Sequence, residues 1–189
     1  MSAEPNELQS LHHDIETLRD AFDSVLMATA DAHGLPEASY AAYLEDGGDY
    51  HVFLSELSTH TGNLMQNGRA SLLFIESESE AAHLFARRRL TLQCEAAEIP
   101  RGPEFERLLD AMAARFGKLI ATLRELQDFH LFRLRPVRGA YVAGFARAYV
   151  MDDATLQSLR HVRDKGHRSA DGNKAELDPS QIDSETQST

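Results

Sequence analysis

Apolar side chains recur at three- and four-residue steps through Leu8, Leu11, Ile15, Leu18 and Phe22, and this spacing predicts an amphipathic helix over residues 7–23. At residue 24 the pattern changes. Residues 24–30 and 36–44 read as two strands of a hairpin, joined through the turn Asp31-Ala32-His33-Gly34. After a second turn, Asp46-Gly47-Gly48-Asp49, residues 50–54 read as a third strand. The hydroxyl-rich stretch Ser58-Thr59-His60-Thr61 opens a short helix that ends near Asn67-Gly68. Residues 70–75 form a fourth strand, the acidic loop Glu76-Ser77-Glu78-Ser79-Glu80 follows, and three arginines lead into a fifth strand that runs to about Ala97.

Pro103 suits a first helical turn and Glu104 suits its dipole. They open a stripe of Phe105, Leu108, Leu109, Met112, Phe116, Leu119, Ile120 and Leu123, with Gly117 as a local weak point. The remaining pattern predicts a strand over residues 126–136, a turn at Val137-Arg138-Gly139, a strand over 140–150 and a last helix over 153–162. Many short strands with little βαβ alternation predict a mainly β fold, an antiparallel barrel with helices outside it. Residues 1–23 are expected as a helical extension and 24–168 as the barrel domain with a terminal loop. Residues 169–189, acidic with Lys174 alone in opposition, are expected as a disordered tail.

Composition narrows the function classes. The 189 residues suit one domain, and 42% of them are hydrophobic, enough for a substantial core. A formal net charge of -11 argues against general nucleic-acid binding, which depends on cations neutralising phosphates. No stretch approaches the roughly 20 apolar residues of a membrane span. Cys94 is the one cysteine, so there is no internal disulfide and no CxxC pair. With an acidic, polar start that does not resemble a secretory signal, these features make the cytoplasm the expected compartment.

Four places carry candidate chemistry. His167, in Gly166-His167-Arg168, is either a solvated tail residue or an imidazole ligand that a loop brings over a pocket. Arg87 and Arg89 point to one side of their strand and Arg88 to the other. Their guanidinium forks suit a carboxylate or phosphate, or simply the acidic loop before them. Asp128 opens a strand, where it can cap, face water, or accept the Nδ1–H of a metal-bound imidazole. Ser58, Thr59 and Thr61 can hold an anion at a helix N-terminus or serve as plain caps. His12 and His13 are adjacent and lack the i, i+4 spacing of paired ligands, so they read as surface residues.

From about Glu16 to Arg168 the chain resembles the haem-utilisation proteins of the HugZ/HutZ type, within the FMN-binding split-barrel group that also contains pyridoxamine 5'-phosphate oxidase. The resemblance rests on the order and spacing of several pieces. They include Leu26-Met27-Ala28-Thr29-Ala30-Asp31, Thr59-His60-Thr61-Gly62-Asn63-Leu64, Leu84-Phe85-Ala86-Arg87-Arg88-Arg89-Leu90-Thr91 and Arg115-Phe116-Gly117. Leu126-Gln127-Asp128-Phe129, Leu131-Phe132-Arg133-Leu134, Gly144-Phe145-Ala146-Arg147-Ala148-Tyr149 and Gly166-His167-Arg168 complete the set. The resemblance implies a homodimeric split barrel that binds haem and cleaves it with oxygen to a biliverdin-type product, iron and carbon monoxide, using an external electron donor. It assigns His167 to the haem iron and Asp128 of the partner subunit to that histidine. Arg89 goes to a propionate or the distal side, with Thr29, His60 and Arg87 near the ligand cleft. Two rival readings share the fold: an FMN-binding oxidoreductase, and a haem storage or delivery protein without oxygen chemistry.

Overall fold

The computed structural model describes residues 5–145, 147–152 and 158–162. In chain order it contains α1 (Pro5–Asp20), β1 (Ser24–Ala30), β2 (Pro36–Asp46), β3 (Asp49–Ser55), α2 (Thr59–Asn67) and β4 (Arg69–Ile75). After a 3-10 turn at Leu84–Ala86 come β5 (Arg89–Ile99), α3 (Pro103–Phe116), α4 (Leu119–Arg124), β6 (Phe129–Val142), β7 (Ala148–Met151) and β8 (Leu159–His161). Every strand pairing is antiparallel. The sheet runs β3-β2-β1-β4-β5-β6-β7-β8, and the additional β3–β6 ladder closes β1 to β6 into a barrel. This is the expected mainly β barrel with helices outside it. No helix among the described residues is long and apolar enough to cross a membrane.

Strand alternation builds the core. Val25, Met27 and Thr29 of β1 point inward while Ser24, Leu26 and Ala28 face out. Leu72, Phe74, Leu90, Leu92 and Cys94 continue the interior, and Leu11 and Leu18 of α1 close it from one side. Tyr43 fixes α1 in place, donating from its hydroxyl to the Arg19 carbonyl at 2.9 Å. A second apolar cluster joins Phe105, Leu108, Leu109, Met112 and Ile120 of the α3–α4 pair to Ile99 and Leu131 of the barrel.

The structure corrects three expectations. The long stripe is two helices, because Gly117, at φ 86°, ends α3 before α4 begins. There is no turn at Val137-Arg138-Gly139: β6 runs straight through it. Gln93 faces Arg138 and the next residue, Cys94, faces Pro136, so Val137 is an extra residue in a bulge. Pro136 was read as punctuation; it sits where β6 has left β3, whose pairing ends at Leu134, and has not yet met β7, whose pairing begins at Gly139. At that gap a missing N–H costs no ladder bond. Finally, the helix expected over residues 153–162 is contradicted at its end, where Leu159–His161 form β8 against β7. Leu159 is buried and Arg160 exposed, the alternation of a half-covered strand; residues 153–157 lie outside the described set.

Gly68 ends α2 in the left-handed region at φ 64°, donating its N–H to Leu64 O at 2.9 Å and accepting from Ala96 N at 2.8 Å. A Cβ there would stand 3.4 Å from the Ala96 carbonyl. Gly68→Ala is therefore expected to destabilise the fold by about 1–2 kcal/mol, read as a lower midpoint in urea denaturation.

Candidate functional site

One end of the barrel carries a polar cluster organised by α2. Its buried face presents His60, Thr61, Asn63 and Leu64. Asn63 Nδ2 donates to Thr29 Oγ1 at 3.0 Å and lies 3.5 Å from Glu37 Oε2, so α2 is tied to both β1 and β2. Asn67 Nδ2 adds a bond to the Ala30 carbonyl at 2.7 Å. His60 is almost fully buried. Burial lowers its affinity for a proton, the Glu37 charge only partly opposes this, and the ring is mainly neutral at pH 7. Neither of its nitrogens hydrogen-bonds to a described residue.

Asp128 belongs to the same end. Its Oδ2 accepts from Ser55 Oγ at 3.3 Å, and its carbonyl accepts from Glu56 N–H at 2.8 Å. Thr61 Oγ1 donates to the Ser55 carbonyl at 2.6 Å and connects this corner to α2. Ser58 occupies the N-cap position of α2, but its hydroxyl makes no capping bond.

The arginine run lies at the far end of β5, and its three members have different environments. Arg87 donates through Nε to the Glu76 carbonyl at 2.8 Å and approaches Glu78 at 3.4 Å. Arg88 holds the buried Glu76 carboxylate through Nε at 2.8 Å, and its backbone N–H adds a bond at 3.1 Å. Both are thus committed to the acidic loop. Arg89 is different: among the described residues its guanidinium donates to the Arg87 carbonyl at 3.4 Å and pairs with no carboxylate. The 3-10 turn just before it exposes Leu84 and, at 83%, Phe85.

The structure therefore brings Asp128, Thr29 and His60 to one end and places Arg87 and Arg89 at the other. Arg89 faces Val142 and Ile99 faces Leu131, so Arg89 and Asp128 are separated by more than the length of the β5–β6 ladder, roughly 40 Å along the strand. His167 lies outside the described residues, and among those described no group of three His, Cys, Asp or Glu side chains is suited to a metal ion.

Between the two ends the outer face of β1 and β2 carries apolar cross-strand pairs. Leu26 faces Tyr40 across β1 and β2, and Ala28 faces Ala38 beside them. Tyr40 is 70% exposed and Leu26 48%. Further along, Thr91, Gln93, Arg138, Gly139, Ala140 and Val150 line a depression of about 160 Å³. Sequence reasoning passed over Asn63, Glu37 and Ser55. The spacing of His60, Asn63, Leu64 and Asn67 was the available signal, since it puts three polar side chains on the face of α2 that meets the sheet.

Comparison with known proteins places these residues in a family context. The pyridoxamine 5'-phosphate oxidase family model matches residues 11–143. The chain is 38% identical over 159 residues to the heme oxygenase HutZ of Vibrio cholerae serotype O1, covering 84% of this chain and 90% of that protein. The crystal structure of HutZ, described as a heme storage protein, is similar at 40% identity and a TM-score of 0.62, covering 65% of this chain and 87% of that one. Campylobacter jejuni ChuZ matches at 28% identity and a TM-score of 0.74, over 89% of this chain and 66% of that one. A heme binding protein from Mycobacterium smegmatis matches at 27% identity and a TM-score of 0.59, over 75% and 57% of the two chains.

The two ion pairs of the arginine run are not equivalent. Glu76→Gln removes the buried charge and turns one of the two carboxylate oxygens that accept from the Arg88 side chain and N–H into a donor, and is expected to cost about 1–3 kcal/mol in urea denaturation. Glu78→Gln, at an exposed carboxylate, is expected to cost less than about 0.5 kcal/mol.

Proposed function

The chain belongs to the pyridoxamine 5'-phosphate oxidase family, and within it we propose that this protein binds haem and degrades it, releasing the iron. The observation that carries this reading is the 38% identity to a protein named heme oxygenase, over 90% of that protein's length. The surface around Arg89 supports it. An unpaired guanidinium suits a propionate, and exposed Leu84 and Phe85 beside it suit the apolar porphyrin edge. Three members of the phosphate cradle that an FMN reading needs are committed elsewhere: Thr61 donates its hydroxyl hydrogen to the Ser55 carbonyl, and Arg87 and Arg88 hold the acidic loop.

In this proposal haem is the substrate and would also supply the oxygen-activating chemistry. His167 would hold its iron, and Asp128 from the other copy in the dimer would accept the Nδ1–H of that ring, fixing its orientation and raising its donor strength. Arg89 anchors a propionate, and Thr29, His60 and Arg87 stand near the cleft. The proposed assembly is a homodimer. Two copies packed through the apolar outer face at Leu26 and Tyr40 would let the Asp128 end of one chain approach the Arg89 end of the other. Electrons come from an external donor.

Titration of the purified protein with hemin is expected to give a Soret band that saturates near one haem per subunit and is lost in His167→Ala. Arg89→Ala is expected to weaken binding by about tenfold or more, the effect of losing one charged hydrogen bond. With reductant, oxygen and catalase, the Soret band of the wild type should disappear as iron is released. A persistent band would identify a storage protein, and a flavin spectrum in the protein as purified would identify the FMN enzyme. Tyr40→Asp is expected to shift sedimentation from dimer to monomer; an unchanged dimer would place the interface elsewhere.

A further inference from the structure

His130 is the second residue of β6, opposite Leu54 of β3. Its Nε2 lies 2.7 Å from Glu56 Oε1 and its Nδ1 lies 2.7 Å from Glu98 Oε1. Glu56 comes from the loop between β3 and α2, Glu98 from β5, and these are the two charged groups that act on the ring. Both ring nitrogens face carboxylate oxygens, and both can donate only when the ring is an imidazolium. The side chain is 17% exposed, while both glutamates are about half exposed.

The staple acts on Asp128 through a short path. Glu56, held by His130, donates its backbone N–H to the Asp128 carbonyl, and its neighbour Ser55 donates to the Asp128 carboxylate. Ser55 is itself held on two sides: its Oγ accepts from Leu57 N at 3.2 Å, and its carbonyl accepts from Thr61 Oγ1 at 2.6 Å. We propose that Ser55 and His130 are positioning residues for Asp128: Ser55 orients the carboxylate directly, and His130 holds the loop that carries Ser55. This rests on the reading of Asp128 as the acceptor for the haem-ligating histidine. It assigns the orientation of that carboxylate to a loop on the same chain.

The arrangement makes the orientation depend on pH. Burial opposes protonation of His130, the hydrogen bonds and charges of Glu98 and Glu56 outweigh it, and the net effect raises its pKa above the ordinary 6.5. A raised histidine pKa stabilises the fold fully below 6.5, and the contribution fades as pH rises through the folded value. Above that value one ring nitrogen presents a lone pair to a carboxylate, and the contact to Glu56 or Glu98 is lost.

The test compares wild type with Ser55→Ala, Ser55→Thr, His130→Gln and Asp128→Asn, all first shown to be folded by urea denaturation. In the haem-free protein, NMR is expected to show the His130 ring titrating above its ordinary value, and the Asp128 carboxyl carbon moving across the same range. That movement should be absent in His130→Gln. Ser55→Ala should displace the Asp128 carbon resonance and Ser55→Thr should restore it. In the ferrous haem-loaded protein, the iron–histidine stretching band of Ser55→Ala should lie part of the way from wild type toward Asp128→Asn. An Asp128 resonance unmoved by Ser55→Ala and by the His130 titration would overturn the positioning role. So would bands for Ser55→Ala and His130→Gln that coincide with wild type while Asp128→Asn shifts, but the role of Asp128 would then stand. An Asp128→Asn band identical to wild type would overturn both.

Discussion

The β3–β6 ladder is the contact on which the rest of the structure depends. Without it the sheet would be an open antiparallel ribbon with two long edges, and the interior lined by Val52, Leu72, Leu92 and Leu134 would have no second wall. β6 can close the barrel and also carry the β7–β8 arm because it changes partners along its length. Its first half lies between β3 and β5, and its second half between β5 and β7. The bulge at Val137 and the missing N–H of Pro136 fall at the changeover, where a regular ladder would leave unpaired groups. Closure also fixes the start of β6, and so the place of Asp128 and His130 beside the β3–α2 loop.

The two ends of the barrel use charge differently. At the α2 end, buried polar groups satisfy one another: Asn63 with Thr29, Thr61 with Ser55, Ser55 with Asp128. Such a network fixes geometry, since each member is costly to leave unpaired. At the other end the arginines are sorted by neighbour. Glu76 and Glu78 engage Arg87 and Arg88, and the same loop leaves Arg89 without a carboxylate. Among the described residues, the acidic loop thus engages two of the three arginines and leaves the third without a carboxylate.

Much of this was legible in the sequence because strand alternation is a strong signal. Val25, Met27 and the polar turn after them place β1 within a residue of its observed span, and the Ser58–Gly68 stretch marks α2 at both ends. Pro136 and Gly139 misled, because a residue that commonly ends a strand also serves inside one where the ladder is already interrupted. Leu159 and Arg160 misled for another reason: three residues are too few to show a period, and their state depends on β7, a partner that local pattern does not reveal. Asp128, Arg89, Thr29 and His60 could be named as candidates from the sequence, but their layout could not. The far separation of Arg89 from Asp128 follows from the register of β5 on β6, and the Ser55 and Glu56 contacts to Asp128 follow from β3 lying on β6.

Cys94 sits opposite Pro136 at the bulge, on the barrel interior. Burial there, with a smaller contribution from the Asp49 charge, pushes its thiol up to about 12. The reactive form of a thiol is the thiolate, and at neutral pH this one is almost entirely protonated and shut away from solvent. The chain's single sulfhydryl is held where sulfenic acid formation has neither the anion nor the access it requires. The packing that joins the two halves of β6 thereby also keeps this thiol from oxidants.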